Sequence, residues 1–142
     1  MKARLRWLVP SVALIATATL AATEVAIPEG SSAEEAMTHM AVTGALASAY
    51  GAACAKSGIV VDPKFSKANL LRDIEYLVSL GFDRDELILA HQNLSGEKLG
   101  SLAVQYMVNR GVDLSDRSSI CRSAVAESEA ATPVGNLLSA SN

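Results

Sequence analysis

The stretch Glu97–Arg122, EKLGSLAVQYMVNRGVDLSDRSSICR, decides how the chain reads. Leu99, Leu102, Ala103, Tyr106 and Met107 recur at helical spacing and form one apolar stripe. Val104 and Val108 carry the apolar surface around the side, leaving Lys98, Ser101, Gln105 and Asn109 as a narrow polar strip. A helix this apolar is expected to pack on two sides and to act as the central helix. Asn109-Arg110-Gly111 reads as its stop: a basic last turn, then a glycine free to adopt the left-handed conformation. Val112 to Leu114 is a connector, and Ser115 or Asp116 opens the next helix, which carries Cys121.

Working outward, the 142 residues allow one domain. Half of them are hydrophobic but only 4% are aromatic. Much of the apolar content is alanine, so closely packed helices are expected. The start reads as an export signal over residues 1–22. Lys2, Arg4 and Arg6 precede the apolar run Trp7–Leu20, and small residues follow, with cleavage expected near Ala21 or Ala22. The alternative is a retained anchor; the run is short for a membrane span and contains Pro10. Without Lys2, Arg4 and Arg6, nine basic residues face fifteen acidic ones. An acidic domain with no basic cluster argues against nucleic acid and against anionic membranes. Membrane contact is expected only through the signal segment or a membrane-protein partner.

Cys54 and Cys121 are the two cysteines. In an oxidising compartment an even pair is most simply a disulfide. The rival is a pair of reduced thiols serving metal or redox chemistry, but there is no CxxC and no histidine at ligand spacing.

Residues 23–31 should form a flexible leader containing Pro28 and Gly30. The helical domain then spans 32–138. Ser32-Ala33-Glu34-Glu35 fits a capping box, and its helix runs to about Lys56. The face Met37, Met40, Gly44, Ala47, Ser48 and Gly51 is mostly small. It suits either a partner-docking groove or tight packing inside the bundle. Ile59 to Phe65 reads as a loop or short extended segment. A second helix, capped by Ser66, should bury Leu70, Leu71, Ile74, Leu77 and Val78 and end at Gly81. Asp83-Arg84-Asp85-Glu86 opens a short third helix on which Leu87, Ile88 and His91 share a face. Ser95 caps the fourth helix. The fifth runs from about Arg117 to Ala130 with Ile120, Cys121, Ala124 and Val125 inward, and residues 139–142 should fray. The fold class is all-α, a small bundle of about five helices with one disulfide.

The search for chemistry is mostly negative. His39 and His91 are the two histidines, and neither lies in a metal-binding pattern. Asp83, Asp85 and Glu86 lack the glycine and terminal glutamate of a calcium loop and suit a helix N-terminus. No serine lies in G-x-S-x-G or S-x-x-K. No catalytic residue, cofactor or metal site is expected.

Leu80-Gly81-Phe82-Asp83-x-x-Glu86 resembles the L-G-[YF]-x-x-x-E turn of domain-of-unknown-function family 5333, short exported helical proteins of alphaproteobacteria. The similarity continues through Tyr106-x-x-x-Arg110-Gly111-Val112, Asp116-x-x-Ser119-x-Cys121, Ala126-Glu127 and Gly135-x-Leu137-Leu138. It covers roughly residues 34–138. The resemblance implies a helical periplasmic domain with a disulfide, and no assigned activity.

The leading expectation is therefore a periplasmic or secreted non-enzymatic interaction protein with a protein partner, such as an accessory subunit or assembly factor of a membrane complex. One alternative is an inhibitor, immunity-type protein or stress chaperone. The other is an envelope hydrolase using His91 and nearby carboxylates.

Overall fold

A computed structural model describes residues 25–65 and 70–141. The segment expected to be a signal peptide and the expected Ser66 cap lie outside the described residues. Five α-helices follow in order: α1 (Ala33–Cys54), α2 (Leu70–Ser79), α3 (Arg84–Gln92), α4 (Gly96–Asn109) and α5 (Arg117–Glu129). Two three-residue strands, β1 (Ile59–Val61) and β2 (Leu138–Ala140), pair antiparallel with Val60 opposite Ser139.

The helix ends follow local hydrogen-bond chemistry. Ser32 Oγ accepts from the Glu35 amide while the Glu35 carboxylate accepts from the Ser32 amide, a reciprocal capping box. Asp83, Ser95 and Asp116 cap α3, α4 and α5 through their side-chain oxygens. At the end of α4, Gly111 has φ +74°. Its amide bonds the Val108 carbonyl, and the Val112 amide bonds the Met107 carbonyl, so two otherwise orphaned carbonyls are satisfied.

The hub of the bundle is α1, which contacts all four other helices and β1. The expectation that α4 is central and packed on two sides is corrected. α4 buries Ala103 and Met107, while Val104 and Val108 stand 48% and 54% exposed. The physical reason lies in side-chain size. Ala36, Ala47 and Gly51 on α1 are small enough for several neighbours to approach one helix. A Cβ on Gly51 would sit 2.9 Å from Val61 Cγ2 and 3.1 Å from the Val61 amide nitrogen.

Two core clusters lie along α1. One gathers Leu46, Tyr50 and Cys54 with Ala103, Met107, Ala124 and Leu137. The other gathers Ala36 and Met37 with Ile74, Leu77, Leu87 and Ala90. Met40 packs against both. The disulfide Cys54–Cys121 joins the end of α1 to α5 with a Cα–Cα distance of 5.5 Å.

Several expectations change. The tail does not fray at Ser139 and Ala140: both lie in β2, and the Ser141 amide bonds the Gly58 carbonyl. Residues 25–32, ahead of α1, carry no helix, yet Val25 is buried and its carbonyl accepts from the Tyr76 hydroxyl at 3.0 Å. On α2, Ile74 and Leu77 are buried but Leu70 and Leu71 are exposed. On α3 the buried pair is Leu87 and Ala90, so Ile88 and His91 face outward. On α5, Val125 is likewise exposed. None of the described helices is long and apolar enough to cross a membrane.

Candidate functional site

Glu127 is the one buried charged residue among the described residues. Three elements build its surroundings. α5 supplies Glu127 itself. α4 supplies Tyr106 and Arg110, four residues apart and therefore on one helix face. The segment after α5 supplies Thr132 and Gly135.

The Tyr106 hydroxyl lies 3.0 and 3.1 Å from the two Glu127 carboxylate oxygens. Arg110 Nε is 2.9 Å from Oε1, and its guanidinium lies 3.5 Å above the centre of the Tyr106 ring. Thr132 Oγ1 donates to Oε2 and accepts from the Gly135 amide at 3.0 Å. Gly135 is required here: a Cβ would fall 1.9 Å from the Glu127 carbonyl oxygen. Beside the cluster, the Tyr50 hydroxyl and Ser123 Oγ are 2.9 Å apart.

Burial pushes the Tyr106 hydroxyl pKa well above the usual tyrosine range. Its hydrogen bond to Glu127 and that carboxylate's charge add to the effect, while Arg110 opposes it. Burial raises Tyr50 as well, against its hydrogen bond with Ser123. Both phenols therefore stay neutral and available as donors.

This arrangement can hold a charge in place. Tyr106, Arg110 and Thr132 together occupy both Glu127 oxygens, so the carboxylate locks α4, α5 and the C-terminal segment to one another. An open groove of about 530 Å³ runs alongside, lined by Arg110, Ser119, Arg122, Ser123 and Thr132 among others. A second, about 490 Å³, lies between Ile59 and the outer side of α5.

The small-residue face, which suited either a docking groove or packing inside the bundle, is largely internal. Met37 and Ala47 are 2% and 1% exposed, and Gly51 packs on Val61. Met40 and Gly44 are half-buried, and Ser48 is exposed. His91 is exposed and is not part of the Glu127 cluster. His39 is half-buried, with Nε2 lacking a hydrogen-bond partner. Asp83 serves as the α3 cap, accepting from the Asp85 and Glu86 amides.

Reading along the sequence missed the Glu127 cluster, although Tyr106, Arg110, Glu127 and Gly135 all stand in the motifs that carry the family resemblance. The available signal was one acidic residue three positions after inward-facing Ala124, and so on the same side of the helix. Compared with known proteins, the chain matches no family model, no curated protein and no solved structure.

Proposed function

We propose that the chain is an exported, non-enzymatic helical interaction protein, serving a membrane complex as an accessory subunit or assembly factor. The observation that carries this reading is the apolar surface left on consecutive helices α2 and α3. Leu71 is 62% exposed, Leu89 58% and Leu80 49%, and the two helices pack on each other. Single exposed apolar residues are ordinary, but several within one helical hairpin suit a partner surface. The disulfide fits an oxidising compartment, in line with the basic and apolar start of the sequence. The Glu127 carboxylate supports a structural role, because its acceptor sites are spent on internal partners.

The test is affinity purification of the tagged protein from its own membranes, with intact mass of the recovered chain. The expected result is stoichiometric recovery with a membrane component. Combining Leu71→Lys with Leu89→Lys should abolish that recovery without unfolding the protein. The expected mass is that of a chain cleaved near Ala22, less two hydrogens. Recovery of the wild-type chain alone overturns the reading.

A further inference from the structure

The groove between Ile59 and the outer side of α5 runs past the disulfide. Arg117, Cys121 and Val125 follow at four-residue intervals and so stand in one row along α5. Ser118 and Arg122, also four apart, form the neighbouring row. Both rows line the groove, which has a volume of about 490 Å³. The two halves of the bridge are therefore unequal. Cys121 is 8% exposed and lines the groove, whereas Cys54 is 0% exposed and lies in the core with Leu46 and Tyr50.

Two cations flank the accessible half. Arg117 lies one helical turn before Cys121, is exposed, and forms no ion pair among the described residues. Arg122 follows Cys121 directly. Its guanidinium donates to Ser118 Oγ at 2.7 Å and lies 3.7 Å from Asp116 Oδ2, with the side chain 70% exposed. A disulfide is opened by a thiolate, so cations beside one sulfur favour the approach of the attacking anion there. Attack at Cys54 would expel the better-placed leaving group, a Cys121 thiolate next to two arginines. No nucleophile reaches a sealed sulfur, however, so access decides which half is attacked.

We infer that Cys121 is the sulfur at which the bridge exchanges with small anionic thiols of the glutathione class, and that Arg117 and Arg122 draw these thiols into the groove. The incoming thiolate sulfur forms a bond to Cys121 Sγ. The Cys54–Cys121 bond breaks, and its electron pair leaves on Cys54 as a thiolate. The product is a mixed disulfide on Cys121, with no net oxidation or reduction in this step. A thiolate on Cys54 sits in the apolar core, where a charge is costly. It therefore attacks Cys121 in turn, expels the small thiol and restores the bridge. The mixed disulfide accumulates only under an excess of thiol. This site uses a different face from the α2–α3 surface and stands or falls separately from the partner reading.

Peptide mass mapping tests the site of exchange. The native, oxidised chain is held with excess glutathione, quenched in acid and digested. The glutathione adduct should fall on the Cys121 peptide at least tenfold more often than on the Cys54 peptide. An adduct mainly on Cys54, an equal split, or no adduct until urea unfolds the chain overturns the inference. Opening rates with thiols of different charge test the recruitment. Opening by glutathione should slow at least threefold in an Arg117→Gln, Arg122→Gln chain. Opening by 2-mercaptoethanol, which carries no charge besides its thiolate, should slow less than half as much. Equal slowing with both thiols, or none with either, overturns the inference. Circular dichroism checks the fold of the double variant, and Arg117→Gln alone gives the same comparison with the Arg122–Ser118 contact kept.

Discussion

The Tyr106 hydroxyl spans the two oxygens of the Glu127 carboxylate, 21 positions further along the chain, and so ties α4 to α5 through a buried charge. A hydrogen bond to a charged group contributes about 1.5–3 kcal/mol, and leaving such a group short of partners costs at least as much. Tyr106→Phe keeps the ring beneath Arg110 but removes the donor. Urea unfolding should show a loss of about 2 kcal/mol. An unchanged midpoint would mean that Arg110 and Thr132 satisfy Glu127 without it.

Both tyrosines near this carboxylate carry raised pKa values, which sets an alkaline limit on the fold. A phenol whose folded pKa lies above its unfolded value contributes stability that is fully present below the unfolded pKa, about 10. That contribution is lost as pH rises beyond that value through the folded pKa. Unfolding midpoints should therefore fall above about pH 10, and the phenolate absorbance of Tyr106 and Tyr50 should appear later than that of a free tyrosine. A Tyr106→Phe chain should lose part of this alkaline dependence.

The turn after α5 holds two residues with opposite needs. Gly135→Ala would drive a methyl group into the Glu127 carbonyl and peptide carbon, which are backbone atoms that cannot swing aside. The expected cost is about 2–3 kcal/mol, at the upper end for overpacking, with faster amide exchange in β2. Ala131, by contrast, has φ +49°. Ala131→Gly should stabilise the chain by about 1 kcal/mol, because glycine adopts that conformation without a Cβ clash. A destabilised Ala131→Gly variant would contradict this account of the turn.

Removing the Cys54–Cys121 bridge frees a long stretch of unfolded chain, residues 55–120. The chain-entropy argument puts the loss near roughly 4 kcal/mol. A Cys54→Ser, Cys121→Ser chain compared with the wild type by urea unfolding checks this. A loss under about 1 kcal/mol would mean that residual contacts in the unfolded chain already hold the two ends of that stretch near each other.

Local punctuation was legible in the sequence because its chemistry closes within a few residues. The Ser32 box, the Asp83, Ser95 and Asp116 caps and the Gly81 and Gly111 stops all appear in the structure. The cysteine pairing followed from their even count and the expectation of export. What periodicity conveys is which side chains share a face, and it leaves open whether that face is covered. Leu70, Leu71 and Ile88 therefore align with buried neighbours and still stand in solvent. The hub was misplaced because α4 looks more apolar than α1, whereas α1 holds its neighbours through small residues that permit close approach. The Glu127 cluster, the docking of Val25 and the β1–β2 pairing were hidden for another reason. Each joins residues too far apart for any short pattern to report.

The bridge between Cys54 and Cys121 brackets α2, α3 and α4. A protease that cuts any connector between those helices therefore produces two pieces on one covalent thread. The fragments cannot diffuse apart, and each remains positioned beside the other half of the core. A nicked molecule keeps its intact mass plus one water until it is reduced, so a single cleavage in this region marks the protein without dismantling it.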